Sequence, residues 1–166
     1  MQINPTACLL VLGACASVLS VDVAARADDA RDFGPGFLVK SADRGDFCLD
    51  ASLDASQRGH EVYIFKCHGR GNQRWAITQN ADQSISFVAF DGRCLDVIGA
   101  RVGDRTPLQL YPCHLGPNQK FDRRGGLLVE RQSGKCLTTW WGGDRNPIYI
   151  DECNGRREQR WATFRE

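Results

Sequence analysis

The sequence predicts an all-β domain made of three repeats packed around a pseudo-threefold axis. Three observations carry this. Segments beginning with Cys-Leu recur three times: CLDASLDASQRGHEVYIFKCHGRGNQRW, CLDVIGARVGDRTPLQLYPCHLGPNQKF and CLTTWWGGDRNPIYIDECNGRREQRW. Their first cysteines, Cys48, Cys94 and Cys136, and their closing glutamines, Gln73, Gln119 and Gln159, keep a common period of roughly forty residues, as stacked or radially repeated units do. Finally, 17 glycines and 6 prolines punctuate short apolar runs, the signature of strands joined by tight turns.

The N-terminal region stands apart from the repeats. ACLLVLGACASVLSV, Ala7 to Val21, is apolar but short for a membrane span. Ala25-Arg26-Ala27 follows, an A-x-A cleavage pattern, and then Asp28-Asp29. Residues 1–27 are therefore expected to be a secretory signal peptide, although MQINPT lacks a basic residue. The alternative is a lipoprotein signal ending before Cys15, because Leu12-Gly13-Ala14-Cys15 resembles a bacterial lipobox. Residues 28–36 read as a short linker and 37–166 as the repeat domain. The expected location is secreted or periplasmic, or membrane-anchored through a lipidated Cys15.

Each repeat carries about four strand signals. In the second they are SISFVAF (Ser84 to Phe90), CLDVI, LQLYPC and NQKF, with a turn at Asp91-Gly92. Some twelve strands then run from Phe37 to Glu166. One unit alone is too small to bury its apolar face, whereas three together enclose a core. Trp75, Phe121 and Trp161 occupy matching positions and read as core aromatics. Six cysteines, Cys48, Cys67, Cys94, Cys113, Cys136 and Cys153, lie in the repeats without any CxxC spacing. They read as disulfides of an oxidising compartment rather than zinc ligands.

A formal net charge of +1, from 21 basic and 20 acidic residues, offers no field for nucleic acid. The three histidines, His60, His68 and His114, show no metal or nucleophile–base spacing. No nucleophile elbow, zincin motif or P-loop is present. No cofactor is expected, and the reading is non-catalytic.

Gln73-Arg74-Trp75, Gln119-Lys120-Phe121 and Gln159-Arg160-Trp161 resemble the QxW repeats of the ricin B-type lectin family. Together with three CL(D/T) starts and three cysteine pairs, the resemblance covers nearly the whole mature chain. It implies a β-trefoil fold, carbohydrate binding with galactose-type sugars favoured, and disulfides within each repeat: Cys48–Cys67, Cys94–Cys113 and Cys136–Cys153. From sequence alone, six cysteines admit about fifteen pairings.

A neutral sugar presents hydroxyls and an apolar C–H face. It calls for a carboxylate acceptor, an amide and a flat aromatic ring. The family pattern places these in the second repeat at Asp96, Tyr111, Asn118 and Gln119, with Gln109 as a further polar position. Gln119 reads better as a brace for the aspartate than as a sugar contact. The first repeat offers Asp50, Phe65, Asn72 and Gln73, with Tyr63 where Gln109 stands. In the third, Thr138, Asp151 and Glu158 replace the aspartate, aromatic and asparagine, so that repeat reads as structural. His114 is expected to flank the second site, and His68 to be only its repeat echo. Trp140-Trp141 are expected to include a ring covering the third repeat's core; the rival is an exposed patch for a partner. The expected partners are glycans. Alternative functions are the cell-binding subunit of a multi-component toxin, which adds a toxin or enzyme subunit as partner, and a protein-binding or inhibitor trefoil. Membrane contact is expected only if Cys15 is lipidated.

Overall fold

The computed structural model describes residues 36–51, 62–140 and 144–165. The expected signal peptide, the lipobox alternative at Cys15, most of the linker, His60 and Trp141 lie outside the described residues. The first repeat comprises β1 (Phe37–Ser41), β2 (Phe47–Ala51), β3 (Val62–Lys66) and β4 (Ala76–Gln79). The second comprises β5 (Ile85–Val88), β6 (Cys94–Val97), β7 (Thr106–Tyr111) and β8 (Phe121–Arg124). The third comprises β9 (Leu127–Glu130), β10 (Cys136–Thr139), β11 (Asn146–Asp151) and β12 (Trp161–Arg165).

Six strands close into an antiparallel ring. Ladders join β4 to β5, β8 to β9 and β12 to β1. The gaps within each repeat are closed by single pairs, Phe37↔Trp75, Ile85↔Phe121 and Leu127↔Arg160. Three hairpins, β2–β3, β6–β7 and β10–β11, attach to this ring through equivalent pairs: Lys40↔Cys48, Val88↔Cys94 and Val129↔Cys136. β11 also pairs with both β3 and β7, tying the hairpins together. This is the β-trefoil that the resemblance implies, and closure leaves the barrel without an open edge.

The core is threefold as well. Leu49, Leu95 and Leu137, each following the first cysteine of its repeat, are fully buried, and Trp75, Phe121 and Trp161 are core residues as expected. Burial of each such side chain is worth roughly 1.5–3 kcal/mol. The indole N–H groups of Trp75 and Trp161 donate to the carbonyls of Leu49 and Leu137, at 3.0 and 2.9 Å, so neither buries an orphan donor. The three disulfides pair within repeats, as the resemblance implies. Loops of this size are stabilised by roughly 3 kcal/mol per bridge in the chain-entropy view.

One strand signal is corrected. Asn118-Gln119 of NQKF lie in a single 3₁₀ turn, Pro117–Gln119, and the strand starts at Phe121. Proline at the first position favours that turn, and two equivalent turns, Gly71–Gln73 and Arg157–Gln159, occur in the other repeats. This turn is what aims the amide side chains at the hairpin.

Candidate functional site

In β7 the side chains alternate. Thr106, Leu108 and Leu110 are buried in the core, which leaves Gln109 and Tyr111 together on the opposite face. Asp96 on β6 pairs directly across from Gln109. That register puts a carboxylate, an amide and an aromatic ring on one surface of the hairpin. The same register sets Asp50 opposite Tyr63 in the first repeat and Thr138 opposite Tyr149 in the third.

Asp96 is buried, and its carboxylate accepts three hydrogen bonds. Gln109 Nε2 donates to Oδ1 at 3.0 Å, while Asn118 Nδ2 and Gln119 Nε2 donate to Oδ2 at 2.8 and 2.9 Å. A carboxylate has about four lone-pair sites, so Oδ1 keeps one for an incoming hydroxyl. Tyr111 is 49% exposed and stands nearly perpendicular to His114, with ring centroids 6.0 Å apart. The Gly116 backbone N–H donates to His114 Nδ1 at 3.1 Å. Nδ1 must then hold the lone pair, so the neutral ring carries its hydrogen on Nε2, which lies 3.5 Å from Asp96 Oδ2. These side chains, with Gly99 and Ala100, line an open cavity of about 330 Å³.

The first repeat repeats this geometry. Asn72 Nδ2 and Gln73 Nε2 donate to the two oxygens of Asp50, each at 2.8 Å. Tyr63 also hydrogen-bonds Asp50, so it keeps the contact that Gln109 makes in the second site. Burial pushes the Asp50 carboxyl above its ordinary value of 3.8, against the opposing pull of Gln73, Asn72, His68 and Tyr63. Phe65 meets His68 edge-on at 5.8 Å, and the Arg70 N–H fixes His68 Nδ1 just as Gly116 fixes His114. The cavity here is about 260 Å³ and also admits Arg70 and Arg145.

Gln73 and Gln119 do not line either cavity; both are fully buried beneath their aspartates, which is the brace expected of Gln119 and corrects the expectation of Gln73 as a contact residue of the first site. Gln119 Oε1 accepts from the backbone of His114 and Leu115, and its Nε2 donates to Pro112 O as well as to Asp96. Gln73 makes the same four contacts with His68, Gly69, Lys66 and Asp50. Gln159 makes them with Asn154, Gly155, Glu152 and Thr138. The glutamine is thus a clamp on the loop after the second cysteine, present whether or not a carboxylate sits above it.

In the third repeat Thr138 takes the position of the aspartate, and its hydroxyl donates to Cys136 O while accepting from Gln159. Asp151, where Tyr111 would be, accepts from the Arg105 N–H at 3.0 Å. The Arg105 guanidinium lies 4.1 Å from the centroid of the Trp140 ring. Trp140 remains 42% exposed, and Trp141, the other ring expected to cover the third repeat's core, lies outside the described residues.

Sequence reasoning missed His68 as a site residue. Its echo of His114 was itself the signal, because equal repeat positions reach equal places. Arg145 comes from the neighbouring repeat, which only the packing of β11 on β3 reveals. Among the described residues no His, Cys, Asp and Glu grouping suits a metal ion.

A hairpin-borne carboxylate, braced from below and flanked by an aromatic face, on each of two trefoil repeats defines a lectin-like β-trefoil. The chain belongs to the family described as the ricin-type beta-trefoil lectin domain, whose model matches residues 36–161. An uncharacterised protein of Mycobacterium tuberculosis is 30% identical over 136 residues, spanning 82% of this chain and 77% of that protein. Beta-galactoside-specific lectin 3 of Viscum album is 34% identical over 77 residues, 45% of this chain but 13% of the lectin. The designed three-fold symmetric protein ThreeFoil superposes with a TM-score of 0.72 at 25% identity, over 80% of this chain and all of the design.

Proposed function

We propose that the protein is an exported, non-catalytic lectin that binds galactose-type sugars through the second repeat and, as a further site, the first. The observation that carries this reading is the spare acceptor position on Asp96 Oδ1 beside the exposed face of Tyr111. A hydroxyl donates to the carboxylate while the sugar's C–H face lies on the ring, and Asn118 holds the carboxylate in place. The family membership and the beta-galactoside-specific relative support the sugar class. The A-x-A pattern and the three disulfides support export with cleavage near Ala27, so the exported chain is expected to begin at Asp28.

The test is calorimetric titration with lactose. Tyr111→Ala removes the stacking face without disturbing the core, and Asp96→Ala removes the acceptor. The charge-assisted hydrogen bond lost with Asp96 is worth roughly 1.5–3 kcal/mol, and the ring lost with Tyr111 is the only Phe, Tyr or Trp stacking face among the cavity's lining residues, so each substitution is expected to erase measurable binding at that site. Full binding by both folded variants would move the site elsewhere.

A further inference from the structure

We propose that the first-repeat cavity recognises an acidic saccharide, bearing a carboxylate or a sulfate ester, while the second takes a neutral one. The proposal rests on the lectin reading above and assigns a ligand class to one of its two sites.

The two cavities share their polar floor but differ in charge at the rim. The second has Asp96 and no lysine or arginine among its lining residues. The first has two arginines, Arg70 and Arg145, in a lining whose one carboxylate is Asp50. Neither arginine side chain has an ion-pair partner among the described residues. A neutral sugar gains little from two unpaired guanidinium groups. A carboxylate or sulfate ester matches their planar donor geometry, and such charge-assisted bonds are about twice as strong as neutral ones.

Side-chain packing, not backbone, separates the two sites. Arg70 and Gly116 occupy the same repeat position with nearly the same backbone, φ −73° and ψ 167° against φ −68° and ψ 167°. At Gly116 an added Cβ would lie 2.8 Å from ring atoms of His114, so the second site as built has no room for a side chain there. Arg145 stands immediately before β11 as Arg105 stands immediately before β7, and both are left-handed, with φ of 66° and 56°. Arg105 lies over Trp140 and its amide is bonded to Asp151, whereas Arg145 lines an open cavity beside Asp50. Its own backbone N–H is anchored on Ile64 O at 3.0 Å, which fixes where the side chain begins.

The experiment uses the Tyr111→Ala chain, in which the first site is read alone, titrated with lactose, sialyllactose and sulfated lactose. At low salt at least one acidic glycan is expected to bind roughly tenfold more tightly than lactose, the gain of one charge-assisted contact. The gap should narrow as ionic strength rises, because the rim is open to solvent. Which acidic glycan gains tells carboxylate from sulfate. Adding Arg70→Gln with Arg145→Gln should remove the preference; in the Tyr111 background the same pair should leave lactose binding at the second site unchanged. Equal affinity for all three glycans, or a preference that survives the arginine substitutions, overturns the proposal. If the unaltered chain binds none of the three, the lectin reading falls first; lactose binding at the second site with no acidic preference at the first overturns this proposal alone.

Discussion

In the second repeat Gln119 clamps the loop after Cys113 and presents Asp96; in the third, Gln159 clamps the equivalent loop and holds Thr138. The four hydrogen bonds are the same, yet one hairpin carries an acceptor beside an exposed ring and the other a hydroxyl already engaged with Cys136 O. The difference separates two jobs that the repeat motif mixes. Glutamine and the following aromatic build the trefoil; aspartate, the ring before the second cysteine and the asparagine make up the proposed sugar site. A repeat can lose the second set without losing the first.

The sharpest way to break this comparison is to remove the clamp where no sugar site is expected. Gln159→Ala removes the acceptor of the Asn154 and Gly155 N–H groups and the donor to Glu152 O and Thr138 Oγ1, and each such group left unsatisfied inside the fold costs about 1–3 kcal/mol. A loss of roughly 3 kcal/mol or more in denaturant unfolding is expected, with lactose affinity of the folded fraction unchanged. A negligible change in stability would mean that the glutamine is not structural.

A smaller effect is expected from Phe65→Ala. It should leave the affinity of the second site for free lactose unaltered. Retention on a surface bearing both neutral and acidic galactosides should fall by roughly tenfold or more, because two weak sites on one chain gain from effective concentration. Unchanged retention in surface plasmon resonance would point to one working site.

Acidification sharpens the comparison further. The folded chain holds the Asp50 proton more tightly than an unfolded one, so the carboxylate is lost from above 3.8 downward as pH falls. Lactose binding at the first site, read in Tyr111→Ala, should therefore weaken as pH drops toward that range and recover above it. The decline should persist in His68→Gln, because it belongs to Asp50. By the same linkage, ionisation of Asp50 lowers fold stability as pH rises from 3.8 through its folded-state value. A binding profile flat down to 3.8 would contradict this.

The smallest effect concerns Leu115. It has φ of 53°, while Gly69 and Gly155 hold the equivalent left-handed position at 67° and 70°. Leu115→Gly should raise stability by roughly 0.5–1 kcal/mol, the relief of a left-handed non-glycine residue less the added chain entropy. A thermal melt measures it.

Much of this was legible in the sequence because the repeat period carries it. Asp50, Asp96, Phe65 and Tyr111 lie at fixed counts from cysteines, and a period-two strand puts each aspartate and its aromatic on one face. Thr138, Asp151 and Glu158 announced the third repeat's loss in the same way. The Asn118-Gln119 turn reads as strand in the sequence because a lone short segment before an aromatic carries no period of its own. The rim arginines were invisible for another reason. Arg145 reaches the first site across a pairing between β11 and β3, residues far apart in the chain. His68 reads as a mere echo of His114 in the sequence, although the repeat symmetry makes that echo informative.

The central claim is that two repeats present sugar sites and the third does not. It is tested most directly by titrating isotope-labelled protein with lactose and following backbone amide shifts by NMR. The account predicts shifts around His114, Gly116 and Asn118, weaker shifts at His68 and Asn72, and none at Asn154, Glu158 and Gln159. Shifts centred on the third repeat, or none in the second, would contradict it.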